Sequence, residues 1–105
     1  MASPYTVETA VHATFADTVV EQVTFNGFAR YIQVVNRDSS IAIYLTMGKT
    51  PADPTAAGDN TLVVMPNSTL TIAYPTDCAG GDAVVKLIPA SGTPAYSVQL
   101  IPDRN

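Results

Sequence analysis

Charge is what this chain has least of. Only 13% of its residues are Asp, Glu, Lys or Arg, about half the usual share of roughly 25%. The five bases, Arg30, Arg37, Lys49, Lys86 and Arg104, are scattered along the sequence and outnumbered by nine acids, for a net charge of −4. A nucleic-acid surface needs concentrated cations to displace counterions from phosphate, so no nucleic-acid partner is expected. Cys78 is the only cysteine, which leaves no intrachain disulfide and a fold that must stand on packing, as in chains made in a reducing cytoplasm. Met1-Ala2-Ser3-Pro4-Tyr5 lacks the basic and apolar regions of a signal peptide. No run approaches the roughly 18 apolar residues of a membrane span, and no 3.6-residue apolar stripe of helical length is present.

What the sequence has instead is β-branched: 13 Thr, 12 Val and 6 Ile. Such side chains are stiff at χ1 and fit a pleated sheet better than a helix. Apolar runs are short and stop at Gly, Pro, Asn or Asp, the pattern of many brief strands. Alternation predicts strands over Tyr5–Phe15, Thr18–Phe25, Phe28–Val35 and Ile41–Met47. After a Pro- and Gly-containing connection from Gly48 to Asn60, further strands are predicted at Thr61–Met65, Thr69–Tyr74, Ala83–Ile88 and Ala95–Ile101. Asn26-Gly27 carries a two-residue hairpin signal, because both positions tolerate positive φ.

About eight strands and no helix to cover a sheet predict one all-β domain over residues 1–105, with residues 1–5 as an N-terminal arm. Two antiparallel sheets packed face to face bury the apolar positions most simply. The expectation is a β-sandwich with Ig-like or jelly-roll-like connections, with a small β-barrel as the alternative.

The residues that carry chemistry do not assemble into a catalytic set. Gly48-Lys49-Thr50 lacks the upstream glycine of a phosphate loop, and Pro51 and Pro54 follow where a helix should start. His12, the single histidine, shares the polar face of its strand with Glu8 and Thr14. With Cys78 it offers at most two of the three or four ligands that zinc requires, so no metal and no cofactor are expected. Cys78 lies among Asp77, Gly80, Gly81 and Asp82, and neighbouring carboxylates raise a thiol pKa rather than activate it. Most acids fall in turns, where Asp bonds the local backbone. Glu21 shares the inward phase of Val19, Val23 and Phe25, an arrangement expected at an edge strand or bulge. No enzyme activity is expected.

Several strands are apolar on both faces. Tyr31, Val35, Ala42 and Tyr44 lie opposite the core set of their strands, as do Val85 and Leu87 if Val84 and Ile88 point inward. A free monomer places charge at such positions. Their apolar character predicts burial against other copies or another protein, with Tyr as the anchor.

The run Tyr31-Ile32-Gln33-Val34-Val35-Asn36-Arg37-Asp38 leads into Ile41-Ala42-Ile43-Tyr44-Leu45-Thr46. Gly58-Asp59-Asn60-Thr61 follows, then Val85-Lys86-Leu87-Ile88 and Gly92-Thr93-Pro94-Ala95-Tyr96-Ser97-Val98. This succession, over about residues 28–100, resembles small virion structural proteins of tailed phages of actinobacteria. The resemblance implies a capsid decoration (cement) protein, made in the host cytoplasm and placed on the capsid exterior. Its partners would be the major capsid protein and its own copies, as a homotrimer about a three-fold axis. The interface is expected at Tyr31, Val35, Tyr44, Arg37 and Asp38. The alternative is a tail- or fibre-associated module that contacts host-surface glycans.

Overall fold

A computed structural model describes residues 5–7 (backbone only), 10–25, 30–55, 58, 61–75 and 83–101. Among these residues nine strands are formed: β1 Tyr5–Val7, β2 Ala10–Thr14, β3 Glu21–Phe25, β4 Tyr31–Asn36, β5 Ile43–Gly48, β6 Leu62–Val64, β7 Thr69–Ala73, β8 Ala83–Pro89 and β9 Ala95–Ile101. They make two sheets, β1-β3-β8-β5-β6 and β2-β9-β4-β7. All pairings are antiparallel except that of β1, which runs parallel to β3 at one sheet edge. Among the described residues there is no helix, and both sheets keep free edges, so the architecture is a β-sandwich and not a closed barrel.

The connectivity decides between the two sandwich types. Ladders β5–β6, β4–β7, β3–β8 and β2–β9 are nested one inside the next. Only β5 and β6 are consecutive strands of the same sheet; every other connection crosses between layers. The chain from β2 to β9 therefore runs as one long hairpin wrapped across two sheets, which is jelly-roll connectivity. An Ig-like chain would instead place its first two strands in one sheet.

Period-two alternation fills the space between the layers. Val23 and Phe25 of β3, Ile43 and Leu45 of β5, Val64 of β6, and Val85 and Leu87 of β8 face Val11 of β2, Ile32 and Val34 of β4, and Tyr96 and Val98 of β9. Phe15 joins them, its ring 4.8 Å from that of Tyr96.

Three sequence expectations change, and the open phase of β8 is decided. The segment Tyr5–Phe15 is two strands in opposite sheets, although its alternation runs on unbroken; Tyr5 already belongs to β1 rather than to an arm. The strand expected from Thr18 begins only at Glu21, and Val19 is exposed instead of facing the core. Asn26-Gly27 lies outside the described residues, but β3 and β4 on either side of it belong to different sheets and do not pair, so no two-residue hairpin joins them. In β8, Val85 and Leu87 point inward, while Val84 and Ile88 share the outer face with Lys86.

Two short connections show why particular residues stand where they do. Met65-Pro66-Asn67-Ser68 is a β-turn closed by Ser68 N–H donating to the Met65 carbonyl at 3.2 Å, with Asn67 at φ 56°. Proline presets the second position, and asparagine tolerates the left-handed third. Asn67→Val should destabilise by about 1–2 kcal/mol and Asn67→Gly should not; thermal melts of the pair check this, and equal midpoints would refute the turn assignment.

Asp38 holds the β4–β5 corner. Its Oδ2 accepts from the Ser40 and Ile41 amides at 2.9 and 2.8 Å and from the Ser40 hydroxyl. These backbone donors hold its carboxyl below the ordinary value of 3.8. Its contribution to stability is therefore complete above the unfolded pKa and is lost as pH falls through the lower folded value. A pH titration of Asp38→Asn against the wild type below pH 4 should show that component missing.

Candidate functional site

Sheet pairing arranges the outward side chains of the β2-β9-β4-β7 layer in rows. Tyr31 lies between Ile101 and Ala73. Gln33 lies between Gln99 and Thr71, and Ala10 extends that row beyond Gln99. Val35 lies between Ser97 and Thr69, with His12 beyond Ser97. None of these side chains is an acid, a lysine or an arginine. Solvated sheet faces are normally polar with interspersed charge.

Neutral hydrogen bonds knit the face together. The Gln99 amide donates to Gln33 Oε1, and Gln33 Nε2 donates to Thr71 Oγ1 at 3.4 Å. His12 Nδ1 and Ser97 Oγ are 2.7 Å apart across the β2–β9 ladder. Arginines stand at its two ends. The Arg30 guanidinium lies 5.9 Å from the Tyr31 ring centroid, the geometry of a cation–π contact. Arg37 donates from Nη2 to the Ala13 and Tyr96 carbonyls at 3.3 and 3.2 Å. The result is a hydrogen-bonded surface with a neutral centre and a cationic margin.

The five residues expected at an interface are not brought together. Tyr31, Val35 and Arg37 share this face or its end. Tyr44 sits on the outer face of the opposite sheet, between Ile88 and Val63. Asp38 is occupied in the corner turn, where its carbonyl also receives the Asn67 amide at 2.9 Å. The amide ladder and the His12–Ser97 pair were missed from sequence, because isolated Gln, Ser and Thr residues acquire meaning only when strands far apart in the chain are laid side by side.

The opposite face is different in character. The connection after β5 folds back over it: Thr46 Oγ1 donates to the Ala52 carbonyl at 2.6 Å, and Asp53 meets Lys86 at 3.0 Å. Gln22, Lys49, Thr50, Pro51, Val84 and Lys86 line a shallow open groove of about 220 Å³ beside it. Two cations that are scattered in sequence thus share one groove.

Glu21 and Asn36 are buried polar residues that tie the layers together. Glu21 is inward as its phase requires, at the start of β3, where the described pairing with β1 covers only Val23–Phe25. Its Oε1 accepts from the Tyr96 hydroxyl at 2.8 Å and its Oε2 from the Ala16 amide at 3.1 Å. Asn36 Nδ2 donates to the Ile41 and Val64 carbonyls at 2.8 and 3.0 Å, and its Oδ1 accepts from the Asp38 amide at 3.0 Å. Both have structural partners on every side. Among the described residues no group of three or more His, Cys, Asp or Glu converges as metal ligands would.

No protein-family model matches the chain, and no curated protein matches it. Among solved structures, the chain is similar to the pre-peptidase C-terminal domain of a collagenase from Bacillus anthracis, with a TM-score of 0.40 and 15% identity over 93% of this chain and 92% of that one.

Proposed function

We propose that this protein is a non-enzymatic assembly protein of a phage particle, a decoration protein that binds the outside of the mature head and stabilises it. The observation that carries the reading is the uncharged outer face of the β2-β9-β4-β7 sheet, anchored by Tyr31 and Val35 and bordered by Arg30 and Arg37. Depletion of charge in the centre with Tyr and Arg present is the composition of interface cores. The preformed hydrogen-bond ladder supports the same role, since a face that is already ordered gives up little entropy on docking. The sequence resemblance to virion structural proteins supplies the identity of the surface it meets.

The reading is tested with heads that lack the protein. Purified chain should saturate them at a symmetry-related copy number and raise their resistance to heat. Tyr31→Glu, which puts a carboxylate on the docking face, should weaken binding by more than about tenfold while leaving the melting temperature of the free protein nearly unchanged. Saturation at a handful of copies, or binding retained by tails separated from heads, would replace this with a tail-associated role. For that second role, the groove bearing Lys49 and Lys86 is the feature a glycan would use.

A further inference from the structure

We infer that Arg37, His12 and Thr14 form a binding site for one oxyanion, a carboxylate or a phosphate group, on the outer face of the β2-β9-β4-β7 sheet. The site belongs to the chain by itself, so the inference goes beyond the proposed contact with a phage head and does not depend on it.

Register brings the three residues together. The Arg37 amide donates to the Ala95 carbonyl at 3.0 Å, which carries the β4–β9 alignment one residue past Asn36. Ala95 is in turn the partner of Thr14 on β2. The Arg37 side chain crosses β9 at this alanine, whose methyl group leaves it room. Its Nη2 then donates to the carbonyls of Ala13 and Tyr96 at 3.3 and 3.2 Å, two residues that are themselves paired. The guanidinium therefore lies over the β2–β9 ladder. Its neighbours on β2 are His12 and Thr14, the exposed residues on either side of Ala13.

Among the described residues this cation has no counter-ion, although the chain has nine acids to five bases. Asp38, its neighbour in sequence, turns its carboxylate to the Ser40 and Ile41 amides. Asp17, past the end of β2, bonds the Thr18 amide at 2.7 Å, and Glu8 lies outside the described residues. Two carbonyls hold Nη2 and leave Nε and Nη1 as donors, a fork that matches two oxygens of one oxyanion. An arginine already held in place gives up little entropy on binding. His12 adds the second contact. Its Nδ1 is 2.7 Å from the Ser97 hydroxyl, which is buried, so the ring is tied on one side and presents Nε2 on the other. Both ring nitrogens donate once the ring is protonated, and a second positive charge then stands beside the guanidinium. By linkage, a bound anion favours that protonated ring, so His12 should titrate at higher pH when the site is filled.

The test is titration of the full chain with sodium phosphate and, separately, sodium acetate, at constant pH and at an ionic strength fixed with sodium chloride. NMR signals of the His12 ring and the Arg37 side chain report binding. Both should shift and saturate, with a dissociation constant on the order of 1 mM, and the tighter salt tells whether the site prefers phosphate or carboxylate. Arg37→Met should weaken binding by about tenfold or more. Arg37→Lys should do nearly the same, because an ammonium keeps the charge and loses the fork. His12→Gln should weaken it by about threefold, and Lys49→Met, in the groove of the opposite sheet, should leave it unchanged. The titration midpoint of His12 should rise in saturating phosphate for the wild type and not for Arg37→Met. Circular dichroism confirms that each variant folds, and His12→Gln with Thr14→Val carries the test if the Arg37 variants do not. Shifts that never saturate, undiminished binding by Arg37→Lys, or shifts centred on Lys49 and Lys86 would overturn the inference.

Discussion

Asn36→Leu is expected to lower the unfolding free energy by about 4 kcal/mol, because each buried polar group deprived of its partner carries a penalty of roughly 1–3 kcal/mol. Asn36 is 1% exposed. Leucine of similar volume removes the donors to the Ile41 and Val64 carbonyls and the acceptor for the Asp38 amide. For a domain of this size that corresponds to a fall in melting temperature on the order of 20 °C. Asn36→Asp keeps the acceptor but turns a carboxylate toward two carbonyl oxygens, and it should be at least as damaging. A melt of Asn36→Leu within a few degrees of the wild type would show that this side chain does not hold the β4–β5 corner to β6.

The second large effect concerns the bond between layers. Tyr96→Phe deletes the hydroxyl that meets the Glu21 carboxylate and should destabilise by about 2 kcal/mol, the usual range for a hydrogen bond to a charged group. Glu21→Met leaves the Tyr96 hydroxyl buried without that acceptor and should have a similar effect. Made together, the two changes remove donor and acceptor at once. Because Glu21→Met also removes the acceptor of the Ala16 amide, the double variant should be no worse than Glu21→Met alone, a coupling of about 1–2 kcal/mol in a double-mutant cycle. Strict additivity would mean that the two groups act independently despite their 2.8 Å separation.

How far the sequence could be read follows from what is local. β9 was legible at both ends because Pro94 and Pro102 bracket an alternating run, and the inward phases of β4 and β5 follow from their own side chains. The phase of β8 stayed open because Ala83–Ile88 is nearly all apolar. Lys86 was the available signal: it fixes the outer phase and carries Val84 and Ile88 with it. The split between β1 and β2 breaks no local rule, and a turn signal such as Asn26-Gly27 says nothing about whether the strands it separates share a sheet. The proposed docking face was half legible. Tyr31 and Val35 stand out on their own strand, but Tyr44 belongs to the other layer, and the amide ladder exists only through the β4–β9 and β4–β7 pairings.

Nested ladders also impose a timetable on the chain. The innermost pairing joins Tyr44 to Val63, a short closure, whereas the outermost joins His12 to Ser97 across 85 positions. Closure entropy rises with the length of chain enclosed, so each inner ladder, once formed, shortens the span the next must close. Topologies dominated by such distant pairings fold in milliseconds to seconds rather than microseconds. β9 comes last of the nine strands in the chain, yet it occupies an inner position between β2 and β4. The β2-β9-β4-β7 sheet consequently cannot close during synthesis until Ala95–Ile101 has emerged from the ribosome, and its outer face is among the last parts of the molecule to exist.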